Sequence, residues 1–97
     1  MSFRRAARTD DNQTEIVKLF RKLGWYVLII AQLKNCCDLM ISKDGRTVAV
    51  EIKDGNKIPS KRKLSTGEQK FKDKWLGEYA LIESEDDALN LNNIRKE

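Results

Sequence analysis

No histidine occurs anywhere in the 97 residues, which removes imidazole general bases, Ser-His-Asp triads and histidine metal ligands together. The only two cysteines, Cys36 and Cys37, are adjacent. That spacing fits neither a disulfide framework nor a zinc site, so reduced thiols are expected. Long apolar runs are missing too: the longest, Trp25 to Ala31, falls far short of the roughly 20 residues of a membrane span. With no signal-peptide pattern at its start, the chain reads as an intracellular protein without a membrane partner. Its length allows one domain, residues 1–97, and excludes a separate cofactor-binding fold. Chemistry, if present, must come from carboxylates, lysine, hydroxyls or the two thiols.

What is abundant is charge. The first 82 residues carry 17 basic and 10 acidic side chains, a net +7, whereas residues 83–97 are acidic. An excess of that size on a small domain points to a polyanionic partner, most simply nucleic acid. Arg4, Arg5 and Arg8 lie in an N-terminal stretch, residues 1–9, that reads as a flexible basic arm.

Asp10 or Asp11 can cap a first helix over about residues 12–23, with Ile16, Val17, Phe20 and Leu23 at helical spacing and Gly24 as its stop. Trp25 to Ala31 reads as a short buried strand. Asp44-Gly45 between two alternating runs predicts a hairpin over Asp38 to Lys53. Gly55 to Lys63, holding the only proline, reads as a loop. Ser65 to Glu68 has capping-box spacing ahead of a second helix that carries Phe71 and Trp75 on one face. A last strand over Tyr79 to Ile82 and a helix over 84–93, capped by Ser84 with Ala88 and Leu91 inward, complete the order. An α/β (α+β) chain with a central mixed sheet flanked by helices follows, the final strand returning parallel to a hairpin strand.

The hairpin register carries the chemistry. A two-residue turn at Asp44-Gly45 pairs Lys43 with Arg46 and places Asp38 directly across from Glu51. Leu39, Ile41, Val48, Val50 and Ile52 then share one face; Asp38, Glu51 and Lys53 share the other. Two opposed carboxylates repel and call for a cation. Lys53 supplies part of this, and Mg²⁺ or Mn²⁺, which prefer oxygen ligands, would supply more. Glu15 on the first helix can join them or remain an ordinary helix flank. The same face also admits the plainer reading of solvated side chains on an open sheet.

Asp11-Asn12-Gln13-Thr14-Glu15, Cys37-Asp38-Leu39-Met40, Glu51-Ile52-Lys53-Asp54-Gly55, Pro59 to Ser65 and Gln69 together resemble the virus-type replication-repair nuclease family, VRR-NUC, in its stand-alone phage form. Within that pattern, Asp38 followed by Glu51-Ile52-Lys53 resembles the PD-(D/E)XK signature. Cys37 stands where the motif usually has proline, and Thr66-Gly67 where a Thr-Pro helix start is common. The resemblance implies a restriction-endonuclease-like PD-(D/E)XK fold and a metal-dependent endonuclease acting on branched DNA, with homodimers that cut four-way junctions. It places the protein in the cytoplasm of a bacterial host if phage-encoded. It also implies that Asp38, Glu51, the Ile52 carbonyl and Glu15 hold Mg²⁺ or Mn²⁺, while Lys53 orients the attacking water or neutralises charge. Gln69 is a lesser candidate for holding water or phosphate, a plain surface glutamine being the alternative. Lys57, Lys61, Arg62 and Lys63 are expected to contact phosphates beside the cut, with the arginine arm adding to them. Two readings compete: a nucleic-acid-binding module without catalysis, and an archaeal-type junction resolvase.

Overall fold

The computed structural model describes residues 12–94; the arm with Arg4, Arg5 and Arg8, and the caps expected of Asp10 or Asp11, lie outside them. Helix α1 (Gln13–Lys22) leads to strand β1 (Tyr26–Ile29), the hairpin β2 (Leu39–Lys43) and β3 (Arg46–Ile52), and a 3₁₀ turn at Pro59–Lys61. Helix α2 (Thr66–Lys74), strand β4 (Glu78–Ile82) and helix α3 (Glu85–Asn93) follow. The four strands form one sheet in the order β1-β2-β3-β4, antiparallel except for the parallel β3–β4 pair. The chain is thus α+β, with a four-stranded mixed sheet flanked by helices. No helix among the described residues is long and apolar enough to cross a membrane.

The register follows from local chemistry. Asp44 and Gly45 both take positive φ, 51° and 82°, which a two-residue type I′ turn requires. Lys43 pairs with Arg46 and Leu39 with Val50, as the alternation predicts. Ile16, Val17 and Phe20 of α1 and Ala88 and Leu91 of α3 close over Leu39, Ile41, Val48, Val50 and Ile52 in one core. Helix α2 covers part of the other face: Phe71 stacks on Trp75 with ring centroids 5.3 Å apart and meets Tyr79 of β4 at 6.5 Å.

Two expectations change. Strand β1 is an edge strand, with Tyr26, Leu28 and Ile29 exposed and only Val27 buried, because none of the described residues pairs beyond it and α1 covers only one face. Asn12 stands at the N-cap of α1 without a capping side-chain bond. Its Nδ2 instead donates to the carbonyls of Lys53 (3.2 Å) and Glu83 (3.4 Å), tying the start of α1 to the ends of β3 and β4.

Candidate functional site

Strand β3 carries Glu51 to the face opposite the core, and Lys53 follows just past its end. Asp38 reaches them by a route that the simple hairpin register does not describe. The strand pairing stops at Leu39 and Val50; the Asp38 N–H donates to the Val50 carbonyl at 2.9 Å instead of standing opposite Glu51. Its carboxylate Oδ2 then accepts from the Ile52 N–H at 2.7 Å. The hairpin end closes on itself through a side chain, which leaves Asp38 and Glu51 together but staggered. The Lys53 N–H bonds to Ile82 on the β4 side, so by strand alternation the Ile52 carbonyl faces the Asp38 side.

Glu51 is only 2% exposed. Burial, followed by the negative charges of Asp38 and Glu68, pushes its carboxyl up to about 9. Burial also raises Asp38, with the Ile52 N–H pulling it back. Lys53 Nζ lies 3.7 Å from Glu51 Oε2 and 3.1 Å from Glu68 Oε1.

Glu68 is the residue that sequence reasoning missed. Its Oε1 accepts from the Ser65 N–H at 2.8 Å in the expected capping box and from Lys53 in the same stroke. Burial alone would raise its carboxyl, but the Ser65 and Lys53 bonds win and hold it below the usual range. The signal was present: Glu68 precedes Phe71 by three, which puts it on the face of α2 that turns toward the sheet. Gln69 is one step round the helix. It is exposed and donates to Asp73 Oδ1 at 2.8 Å, so it does not face the carboxylates. Tyr79 is the second addition. Its hydroxyl is buried without a hydrogen-bond partner, and burial with the charges of Glu51, Cys37, Glu68 and Asp38 holds its proton on.

Asp38, Glu51 and Glu68 line a cleft of about 640 Å³ together with Lys34, Asn35, Cys36 and Cys37. Both cysteines are free thiols, and Cys37, whose thiol burial pushes up to about 12, bonds to the Leu39 carbonyl. Glu15 lines a different cleft, with Asp54, Arg62, Glu83, Glu85 and Asp87. The reason is the docking of α1 on the core face, across the sheet from Glu51. Arg62 lines that cleft too, and its Nη1 pairs with Glu83 Oε2 at 3.3 Å. Lys57, Lys61 and Lys63 are exposed along the same loop.

Among the described residues no group of three Asp, Glu, Cys or His side chains is arranged as a ready metal cage. The donor set nevertheless suits a hard cation, since buried carboxyl oxygens outnumber the one lysine among them. Mg²⁺ typically takes one or two carboxylates and keeps several waters; Asp38, Glu51 and the Ile52 carbonyl could provide that much. The chain matches no protein family, no curated protein and no solved structure.

Proposed function

We propose that the protein is a divalent-metal-dependent DNA endonuclease of the PD-(D/E)XK kind, related to the VRR-NUC family, that hydrolyses phosphodiester bonds in branched DNA. Four-way junctions are the favoured substrate, and a homodimer would provide the paired incisions that a symmetric junction needs. The observation that carries the reading is the meeting of Asp38 and Glu51 in one cleft, with Lys53 Nζ 3.7 Å from Glu51 and the buried Glu51 carboxyl held far from its ordinary titration range. A strongly displaced carboxyl with a specific charge partner, set in a cleft, is a candidate for chemistry.

Asp38, Glu51 and the Ile52 carbonyl would hold Mg²⁺ or Mn²⁺, Glu51 giving up its proton to do so. When bound, the ion supplies Lewis-acid polarisation of the phosphate and a more acidic water. Lys53 then offers its ammonium to a phosphate oxygen, and Glu68 holds that ammonium within reach of Glu51. Water adds to phosphorus and the bond to the leaving sugar oxygen breaks, with Lys53 offsetting the charge that develops.

The test is direct. Labelled four-way junctions, flaps and linear duplex are incubated with Mg²⁺, Mn²⁺ or chelator. Junctions are expected to be cut only with metal. Asp38→Ala is expected to lose about a hundredfold in rate, in keeping with the removal of one electrostatic partner, whereas Gln69→Ala keeps the wild-type rate. Cleavage that survives chelator or Asp38→Ala removes the proposed site. Binding without any cleavage selects the non-catalytic module instead.

A further inference from the structure

The carboxylate cleft sets Asp38, Glu51 and Glu68 against Lys34 and Lys53 and offers a polyanion little net positive charge, so further cations nearby are needed to hold the DNA strand on either side of the cut. The Arg62 side is poorly suited to this, because the cleft there is lined by Glu15, Asp54, Glu83, Glu85 and Asp87. The α2 side differs. A groove of about 480 Å³ runs between the loop after β1 and α2, lined by Asn35, Thr66, Gly67, Lys70, Phe71 and Lys74.

Asn35 lines both this groove and the carboxylate cleft, so the two are neighbours across a single side chain. Its backbone sits at φ 56°, and its side chain is laid against Gly67 so closely that a Cβ there would come within 1.8 Å of Asn35 Oδ1. The wall therefore depends on glycine at position 67. Lys70 and Lys74, one turn apart and both exposed, stand on the groove's rim. Neither makes an ion pair among the described residues, in contrast to Arg46, Lys53 and Arg62, which are all matched to carboxylates.

Resting on the nuclease reading above, we propose that this groove holds the sugar-phosphate backbone flanking the cut, with Lys70 and Lys74 contacting phosphates of the strand that passes over Asn35 from the carboxylate cleft. Such contacts position DNA without reading bases. The sequence reading placed the flanking contacts on Lys57 to Lys63; the groove moves the principal ones to α2.

Anisotropy titrations of a fluorescein-labelled four-way junction, in chelator and across about 50–200 mM salt, test this on the full chain. If each lysine meets one phosphate, Lys70→Ala/Lys74→Ala lowers the salt slope by about 1.8 and weakens binding roughly 50-fold at about 0.1 M salt. Lys18→Ala/Lys22→Ala is the matched control. It removes the same charge at the same spacing from exposed positions of α1, beyond the opposite face of the sheet, and should cost less than about threefold. Equal losses in the two variants, an unchanged slope in the first, or a wild-type protein that binds no junction overturns the proposal. Lysine-dependent binding by a protein that never cuts DNA in Mg²⁺ or Mn²⁺ overturns the nuclease reading and leaves the groove standing.

Discussion

Glu51→Gln is expected to make the protein more stable at pH 8 while ending cleavage. The carboxyl titrates at about 9 in the folded chain against 4.5 as its ordinary value, chiefly through burial and then through repulsion by Asp38 and Glu68. Between those two pH values the folded state holds a proton that the unfolded state has lost. Stability conferred by the folded state's extra proton is therefore intact below about pH 4.5 and is lost as pH rises toward 9, by up to about 1.4 kcal/mol per pH unit. A glutamine keeps the shape, carries no charge and retains a donor for Asp38 or Glu68. In chelator at pH 8 we expect a gain of about 2 kcal/mol, or about 10 °C in Tm for a domain of this size. The rate should fall at least about a thousandfold, because the variant can neither release a proton nor bind the ion as an anion. Melting curves of both proteins at several pH values isolate the effect of Glu51 and the carboxyls it touches, since titrations elsewhere cancel in the difference. A variant that melts below wild type at pH 8, or that keeps the wild-type pH slope, would refute the assignment. Added Mg²⁺ or Mn²⁺ should raise the wild-type Tm and leave Glu51→Gln unmoved.

The second large effect lies at the other end of the sheet and concerns folding alone. Arg46 forks onto Glu78, Nε to Oε1 at 3.1 Å and Nη2 to Oε2 at 2.5 Å. Its Nη1 donates to the carbonyls of Leu91 and Ile94 at 3.2 Å each, and its guanidinium lies 5.2 Å from the centre of the Trp25 ring. One side chain thus joins β3, β4, the end of α3 and the core. Arg46→Ala removes both guanidinium bonds to the Glu78 carboxylate and both to the end of α3, and should cost about 3 kcal/mol. Urea titration should show it as a lower midpoint with an unchanged slope. Arg46→Lys should recover less than half, because an ammonium cannot span both Glu78 oxygens and the helix end. A loss below about 1 kcal/mol in the alanine variant would contradict this account.

How much of this was legible beforehand varies by residue. Asp44-Gly45 and the alternation around it specify the hairpin down to its register, because turn geometry and the pleat are local. Ser65 with Glu68, and Ser84 ahead of α3, mark helix starts for the same reason. The staggering of Asp38 was not legible, since it depends on a side chain competing for the Ile52 amide. The separation of Glu15 from the carboxylates and the pairing of Arg62 with Glu83 were not legible for a shared reason: the face on which α1 docks, and the proximity of Glu83 to the loop after β3, arise from packing between distant segments. Glu68 was readable from helical phase alone and was passed over in favour of Gln69, its neighbour in sequence but not in direction. Nothing local marked Tyr79, whose position depends on the parallel pairing of Ala49 with Tyr79.

Strand β3 is bonded along both flanks, by β2 and by β4, whereas β1 is bonded along one. Local opening of a sheet starts where a strand has one neighbour and reaches the doubly paired strand last. Glu51 is therefore attached to one of the two doubly paired strands of the sheet, with Lys53 one residue past its end. The loop that carries Asn35 leads out of the edge strand β1. On the nuclease reading, Glu51 and Lys53, which must stay aligned, are thus held by a doubly paired strand, while the wall that Asn35 forms belongs to a loop reached from a sheet edge, where a DNA strand could enter.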